Sequence, residues 1–400
     1  LDIEYYDTYK IVYNHFQDVS YLLYQCGTEP PQDEISSGNH HLILSVPHEG
    51  GIALTSTVQI PPIELLGLRE QVIGYLDDPQ WITSPCINTM IEDGTIDVVW
   101  KGWGSPEQEP AMQDWVINNT TGAIILGGPF GNASSPHTIS IAASQERTNV
   151  ATFDWLALYA ALYNMEGESN RITAEAQADY DCSASNAQIV AEQTRKLQTD
   201  ENQRPVLLWA NWFDGYNWSV AECPTWDTTY YCEYAAHCDT EILSRPEGVG
   251  DDSTGFWYLD DEEFLEFGKD ADIWIYGSQF WDSMYEQKKD IVDQFKSVQN
   301  QQVYDTQGQG ANAWYEQRLA EYDVVGLDVC AIVGNVDPNA PPHTLRWLRN
   351  IYTDPIGDGF TTCNAPEELS EPYIPGGKDC VPITVQGVSS TQPSGGNSVS

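Results

Sequence analysis

Apolar and polar positions alternate through residues 3–24, where Ile3, Tyr5, Tyr6, Tyr9, Ile11, Val12 and Tyr13 are followed by Tyr21 to Tyr24. A period of two sends successive side chains to opposite faces, so this segment predicts a β-hairpin of half-buried strands. Pro30-Pro31 and the polar run to Asn39 predict a turn, and His41–Val46 and Gly51–Thr55 predict two further strands. Thr55 to Leu68 fits a strand end, a capping hydroxyl and a short helix that stops at Gly67. Gln71–Leu76 then predicts a strand, with Asp77 to Trp81 as its exit loop. Strand, helix and strand at this spacing argue for a parallel sheet. Ile96–Trp100 is another apolar run, Gly122–Leu126 reads as a buried strand that opens into Gly127 to Gly131, and Thr138–Ala142 closes the set. That glycine-rich loop lacks both phosphate-binding patterns, which argues against a nucleotide site.

From Thr152 the period changes to three and four: Phe153, Leu156, Ala160, Tyr163, Ile172, Ala176 and Tyr180. This predicts one long or once-broken helix over 152–196, with Gly167 and Ser183 as weak points. Strand signals resume at 205–210 and run into a loop crowded with Trp212, Phe213, Tyr216 and Trp218. Beyond it, Cys223–Cys238 is helical near its end, Gly248–Gly255 is a polar turn, and Phe256–Leu259 is an apolar run. Asp260–Gly268 predicts a short acidic helix, Ala271–Tyr276 a strand, 280–296 a helix, Gln302–Asp305 a strand and Ala313–Val333 a largely helical stretch. The chain from about 356 is loop-like, and Ser389–Ser400 has the composition of a linker. The expected fold class is α/β, with two α/β lobes joined by a long α-helix. The expected boundaries are 1–151 for the N-terminal lobe, 152–200 for the linking helix, 201–355 for the C-terminal lobe and 356–400 for an extension and tail.

Composition changes this picture in two ways. The chain sets 17 Lys and Arg against 60 Asp and Glu, a formal net charge of -43, which repels phosphate backbones and excludes nucleic acid as a partner. Yet only 19% of residues are charged and 41% are hydrophobic, which is a folding composition. Nine cysteines without any CxxC pair, and sequons at Asn118, Asn119, Asn132 and Asn217, point to disulfides and the secretory pathway. Pairs are expected within two groups, Cys26 with Cys86 and among Cys182, Cys223, Cys232 and Cys238, while Cys363 is expected to pair Cys380. The odd count leaves one thiol over. No run reaches the eighteen or so apolar residues of a membrane span. Leu1 in place of an initiator methionine suggests a signal peptide already removed.

Three chemistries compete for the polar residues. His40, His41 and His48 could ligate a metal, although adjacent strand residues point to opposite faces. Asp260 to Glu263 could supply an acid/base pair for glycoside hydrolysis, although a helix start favours acids for its dipole anyway. No GxSxG occurs. The aromatics are the third possibility, as the apolar walls of a binding cleft.

The order of several segments resembles a known family. Val206–Trp218, Trp257 to Phe264 and Ala271–Tyr276 follow a lobe-joining helix, while Thr55 to Thr57, Glu64 to Leu68 and Val72 to Tyr75 precede it. Phe153 to Arg171, Gln302 to Tyr304 and Asn312 to Tyr315 agree too. Together they resemble the helix-linked (class III) substrate-binding proteins of ABC importers for cobalamin, siderophores and haem, over roughly 1–335. Its cysteines, sequons and tryptophan-rich loop suit a eukaryotic branch better than a bacterial one, and its cysteine content and acidity depart from the ordinary family lobe.

That resemblance implies a monomeric, non-catalytic protein at the cell surface or outside the cell, with no resident cofactor, that takes cobalamin or a similar small molecule and hands it to a membrane transporter or receptor. A broad, flat corrin needs apolar walls and a few hydrogen-bonding groups, with little call for charge. The expected ligand residues are Trp212, Phe213, Tyr216, Trp218 and Trp257 in the second lobe, Trp81 and Phe130 in the first, and Trp314 at the rim. A glycan on Asn217 would obstruct such a cleft, so either Asn217 is unmodified or that loop is not the site. Ferric siderophore or haem binding is the alternative within the family, and a secreted carbohydrate-active hydrolase the alternative of another class.

Overall fold

The computed structural model describes residues 1–119, 122–129, 137–197, 204–213, 217–223, 230–246, 257–360, 362–376 and 380–383. The N-terminal segment forms strands β1 (Asp2–Tyr5), β2 (Tyr9–Asn14) and β3 (Val19–Gln25) in an antiparallel meander, with β4 (Leu42–Val46) parallel to β3. Alternation sets its inner face: Val12 pairs Tyr21 in register, and both are buried with Leu23 and Val46. The polar stretch before β4 holds a helical turn, α1 (Gln32–Ser37), closed by Gly38 at φ 66°.

The second sheet is parallel throughout, in the order β7-β6-β5-β8-β9, from β5 (Ile52–Leu54), β6 (Val72–Tyr75), β7 (Asp97–Val98), β8 (Ile124–Gly127) and β9 (Thr138–Ser140). Helix α2 (Ile60–Leu65) makes the crossover from β5 to β6, as the βαβ spacing predicts. Two more helices complete this lobe, α3 (Pro85–Glu92), capped by the Ser84 hydroxyl, and α4 (Gln108–Asn118). Helix α4 is silent in the hydrophobic pattern because Val116 is its one buried residue.

The linking segment breaks twice, at Trp155 and at Asn164, giving α5 (Asn149–Asp154), α6 (Leu156–Tyr163) and α7 (Glu166–Arg195). Asn164 adopts φ 57° and stops α6, whereas Gly167 and Ser183 lie inside α7 without interrupting it. At 30 residues α7 runs about 45 Å, enough to join the two lobes. Ile172, Ala176, Tyr180, Ser183, Ala187 and Val190 form its buried stripe.

The third sheet has the order β13-β11-β10-β14-β15-β16, from β10 (Val206–Trp212), β11 (Trp218–Val220), β13 (Trp257–Leu259), β14 (Ile273–Tyr276), β15 (Val303–Asp305) and β16 (Arg349–Asn350); β12 (Glu241–Ile242) also pairs β10. Strands β10, β14 and β15 are parallel, while β11, β13 and β16 are antiparallel. Helices α8 (Tyr230–His237), α9 (Asp261–Gly268), α10 (Trp281–Val292), α11 (Lys296–Gln299) and α12 (Tyr322–Ile332) accompany it. Residues 313–320 form two short 3-10 turns, so the last long helix starts only at Tyr322.

Disulfides correct two expected pairings. Cys86 bonds Cys363 and Cys182 bonds Cys380, so neither Cys26–Cys86 nor Cys363–Cys380 forms; Cys223–Cys232 and Cys238–Cys330 are the others, and Cys26 is exposed and free. The reason is a chain reversal. The C-terminal segment returns to the first lobe, where Arg69 donates to the carbonyls of Glu368 and Glu371 and Tyr373 N–H donates to Glu64 O. Removing the Cys86–Cys363 link by a double serine substitution is expected to cost about 2–5 kcal/mol. It should also expose 362–376 to protease, which limited digestion with mass mapping checks; unchanged digestion would contradict the docked segment.

Candidate functional site

In open α/β sheets ligands gather beyond the carboxyl ends of the parallel strands. Here those ends belong to β5, β6 and β8 in one lobe and β10, β14 and β15 in the other. They meet through the short turns at 313–320. Glu316 accepts from the backbone N–H of Thr83 and of Ser84, each at 2.8 Å, just beyond the β6 exit turn that carries Trp81. Next to it, the Tyr315 hydroxyl donates to the carbonyl of Gly277 at 3.0 Å, at the exit of β14. The Tyr276 hydroxyl donates in turn to the carbonyl of Trp212 at 3.3 Å, at the exit of β10. These contacts tie Thr83 and Ser84 to Glu316, its neighbour Tyr315 to Gly277, and Tyr276 to Trp212, across both lobes.

Beneath these loops lies a buried polar joint. Glu64 on α2 accepts from Arg69 Nε at 2.8 Å, Ser84 Oγ at 2.7 Å and Gln317 Nε2 at 2.6 Å. Burial pushes the Glu316 carboxyl up to about 8; its backbone donors oppose that rise and the neighbouring Glu64 charge adds to it.

The expected ligand residues divide. Trp81 (38% exposed) and Phe213 (45%) are open to solvent at the exits of β6 and β10, and Trp212 is half-buried with Lys288 Nζ 5.3 Å from its ring centroid. Trp218 is fully buried: it stacks on Phe264 at 4.0 Å and donates to Asp261, so its ring is spent on core packing and is not a ligand wall. Trp257 packs edge-on to Phe267 in the same second-lobe cluster, on the outer strand β13. Trp314 is 2% exposed and lies under the joint, not at its rim. Phe130 and Tyr216 lie outside the described residues. Asn217 is exposed beside the buried Trp218.

The structure adds residues the sequence did not single out. Tyr315 (53% exposed) and Phe280 (61%) stand at the exit of β14, and Trp103 (71%) meets Trp100 edge-on beyond β7. The signal for Trp100 and Trp103 was present, an aromatic pair after an apolar run, as it was at 212–218. Several buried polar atoms near the joint have no hydrogen-bond partner among the described residues: the Tyr75 hydroxyl, Trp209 Nε1 and Asn211 Oδ1. A side chain at Gly277 would bring its Cβ to 3.0 Å from that indole nitrogen and 3.4 Å from the Asn211 amide, so glycine lets the β14 exit close on β10.

The competing chemistries find no support. His40 bonds Ser20 and Glu34, and His48 bonds the carbonyl of Gly51, so the histidines are held apart by local partners. Among the described residues, each grouping with metal-ligand geometry is built on disulfide cysteines. The acidic run at 260–263 is a capping box, with Asp260 accepting from Glu263 N–H and Glu263 reaching back to Asp260 N–H. A cavity of about 860 Å³ lies away from the joint, between α7, α12 and 335–346. Its polar lining is satisfied internally: His343 bonds Asp328, Arg346 bonds Glu321 and Asn186 bonds the Val381 carbonyl.

Solved structures give the fold a counterpart. A periplasmic haem-binding protein from Pseudomonas aeruginosa aligns with a TM-score of 0.50 at 10% identity, covering 75% of this chain and 97% of that one. The chain has the fold of a periplasmic binding protein. A siderophore-binding protein solved with two acinetobactin molecules and ferric iron aligns at 0.48 and 13% identity, covering 72% and 94%. The periplasmic vitamin B12-binding protein of Vibrio cholerae aligns at 0.43 and 12%, covering 72% and 97%. No family model matches the chain, and no curated protein matches it by sequence.

Proposed function

We propose that this chain is an extracellular or cell-surface binding protein that captures cobalamin between its lobes for uptake, without catalysis. The observation that carries the reading is the tying of three strand exits: Glu316 holds Thr83 and Ser84 after β6, Tyr315 holds Gly277 after β14 and Tyr276 holds Trp212 after β10, with Trp81, Phe213 and Tyr315 exposed on these segments. Large rings with few rotatable bonds offer a flat macrocycle apolar area at low ordering cost. Four disulfides support the secretory setting, where the exposed Asn118 sequon would be open to glycosylation. The sequence also resembles the algal cobalamin acquisition protein, and that resemblance is what favours cobalamin over other macrocycles and a membrane transporter or receptor as the next partner. A ferric siderophore or haem is the second reading, with haem bound by the Pseudomonas aeruginosa protein of the same fold.

Calorimetric titration of the purified chain with cyanocobalamin, haemin and a ferric siderophore tests this directly. Saturable binding of cyanocobalamin at micromolar concentration or below is expected; binding of haemin or the siderophore in its place would move the assignment to the second reading. Phe213→Ala and Tyr315→Ala should each weaken cyanocobalamin by about 1.5–3 kcal/mol, the value of one buried ring, with unchanged thermal melting. Unchanged affinity in both would place the ligand elsewhere.

A further inference from the structure

Three arginines of the described chain are more than nine-tenths buried, Arg69, Arg245 and Arg318. Arg69 pairs with Glu64 and Arg245 with Glu222. The half-buried Arg346 and Arg349 likewise pair with Glu321 and Asp305. Arg318, in a chain with 60 acidic residues, has no carboxylate partner among the described residues. Its Nε donates to the Trp314 carbonyl at 3.2 Å, and its guanidinium carbon lies 4.5 Å from the Tyr230 ring centroid and 4.9 Å from that of Trp314. Both terminal amino groups lack a carboxylate or carbonyl acceptor among those residues.

A desolvated charge is costly unless something compensates it. Two aromatic faces do so in part, and they also fix the plane of the guanidinium. A fixed plane whose amino groups face the Tyr234 hydroxyl but meet no carboxylate among the described residues is a fork that can match a carboxylate or phosphate bidentately. The position is the inter-lobe joint itself. Tyr315, three residues earlier, is exposed and holds the β14 exit; Trp209, 6.3 Å from Trp314 between ring centroids, carries an indole N–H that also lacks a partner. A net charge of -43 repels an incoming oxyanion, so holding one here requires a local cation shielded from the surface acids.

We propose that Arg318 is the oxyanion anchor of the inter-lobe site, receiving a phosphate or carboxylate carried by the bound molecule. This rests on the location of the proposed site and not on the ligand being cobalamin. Two chemistries could supply the group: the phosphodiester of cobalamin or the carboxylates of haem.

The test compares the full chain with Arg318→Met, which keeps the length of the side chain and removes the fork, and Arg318→Lys, which keeps the charge alone. Inorganic pyrophosphate, followed by tryptophan fluorescence, is expected to saturate the wild type and to lose at least about tenfold in affinity in Arg318→Met, with partial rescue in Arg318→Lys. Equal pyrophosphate response in wild type and Arg318→Met, or none in either, overturns the anchor. If cyanocobalamin binds, it should lose about tenfold or more in Arg318→Met while dicyanocobinamide, which lacks the phosphodiester, changes less than about twofold. Equal losses for the two corrinoids would assign Arg318 to packing. If cyanocobalamin does not bind, the cobalamin assignment fails, and the pyrophosphate and haemin titrations decide the anchor alone. Matching melting temperatures for the three proteins separate these effects from misfolding.

Discussion

Glu316→Gln is expected to destabilise the protein by about 1–3 kcal/mol at the acid end of the range and to remove the loss of stability that wild type shows as pH rises from about 4.3 to about 8. Both Glu316 oxygens are occupied: Oε2 accepts from Thr83 N–H, and Oε1 accepts from Ser84 N–H at 2.8 Å and from Gln317 Nε2 at 3.2 Å. A glutamine can present one carbonyl oxygen only, so its NH₂ must face a buried N–H donor, and a buried donor left unmatched costs that much. The pH effect follows from the same burial. The folded Glu316 carboxyl is pushed up to about 8, by burial first and then by Glu64. An unfolded glutamate titrates near 4.3. Its stabilising contribution is therefore fully present below the unfolded value and is lost as pH rises through the folded one. The loss approaches about 1.4 kcal/mol per pH unit between the two. The groups facing it are Glu64, Arg69, Ser84 and Gln317, and among them the Glu64 carboxylate is what ionisation must oppose. Thermal melts of wild type and Glu316→Gln from pH 5 to 9 decide the matter. Parallel curves would remove Glu316 as the titrating group of the joint.

Asp328→Ala is expected to cost more, about 3–5 kcal/mol, the range for breaking a buried charged network by removing one partner. Asp328 on α12 is fully buried and gathers the incoming strand: Arg346 N–H at 3.1 Å, Trp347 N–H at 2.6 Å, Leu348 N–H at 2.9 Å and the His343 ring at 2.6 Å. Alanine leaves three backbone donors and one imidazole without their acceptor. Nearby, Glu321 accepts from Arg346 Nη2 and from Trp347 Nε1, each at 2.8 Å, so displacement of residues 346–348 would disturb a second buried carboxylate. His343→Ala removes a single donor from the rim of this network and should cost about 1 kcal/mol. Denaturant unfolding of the two variants measures the contrast; equal losses would mean that Asp328 acts through its histidine partner alone.

Much of the fold was legible along the chain. Alternation at 3–24, the βαβ spacing at 51–76 and the three-and-four period after 152 each follow from side-chain direction, which is a local property. Local too was the preference of the helix start at 260–263 for acidic residues. The breaks in the linking segment were harder. Gly167 and Ser183 carry weak intrinsic signals, while the stop at Asn164 comes from a left-handed backbone that asparagine tolerates. Helix α4 escaped notice because a helix with one buried residue has no apolar stripe to read.

The candidate site was legible only in part, because an aromatic residue in a loop looks the same whether it faces solvent or core. Trp218 and Trp314 satisfy core packing, whereas Trp81 and Phe213 stay open, and the difference lies in what stands opposite them: Phe264 against Trp218, and Arg318 against Trp314. Glu64, Glu316 and Arg318 carried no sequence signal, since their roles depend on partners up to 253 positions away, as in the Gln317–Glu64 bond. Sequence alone determined an α/β chain with two lobes, a long joining helix and a disulfide-forming, acidic character, because periodicity and composition are properties of the chain itself. Only the tertiary structure decided which cysteines pair, which rings are exposed, and which buried arginine meets no acid among the described residues, because each depends on what long-range folding brings opposite a given side chain.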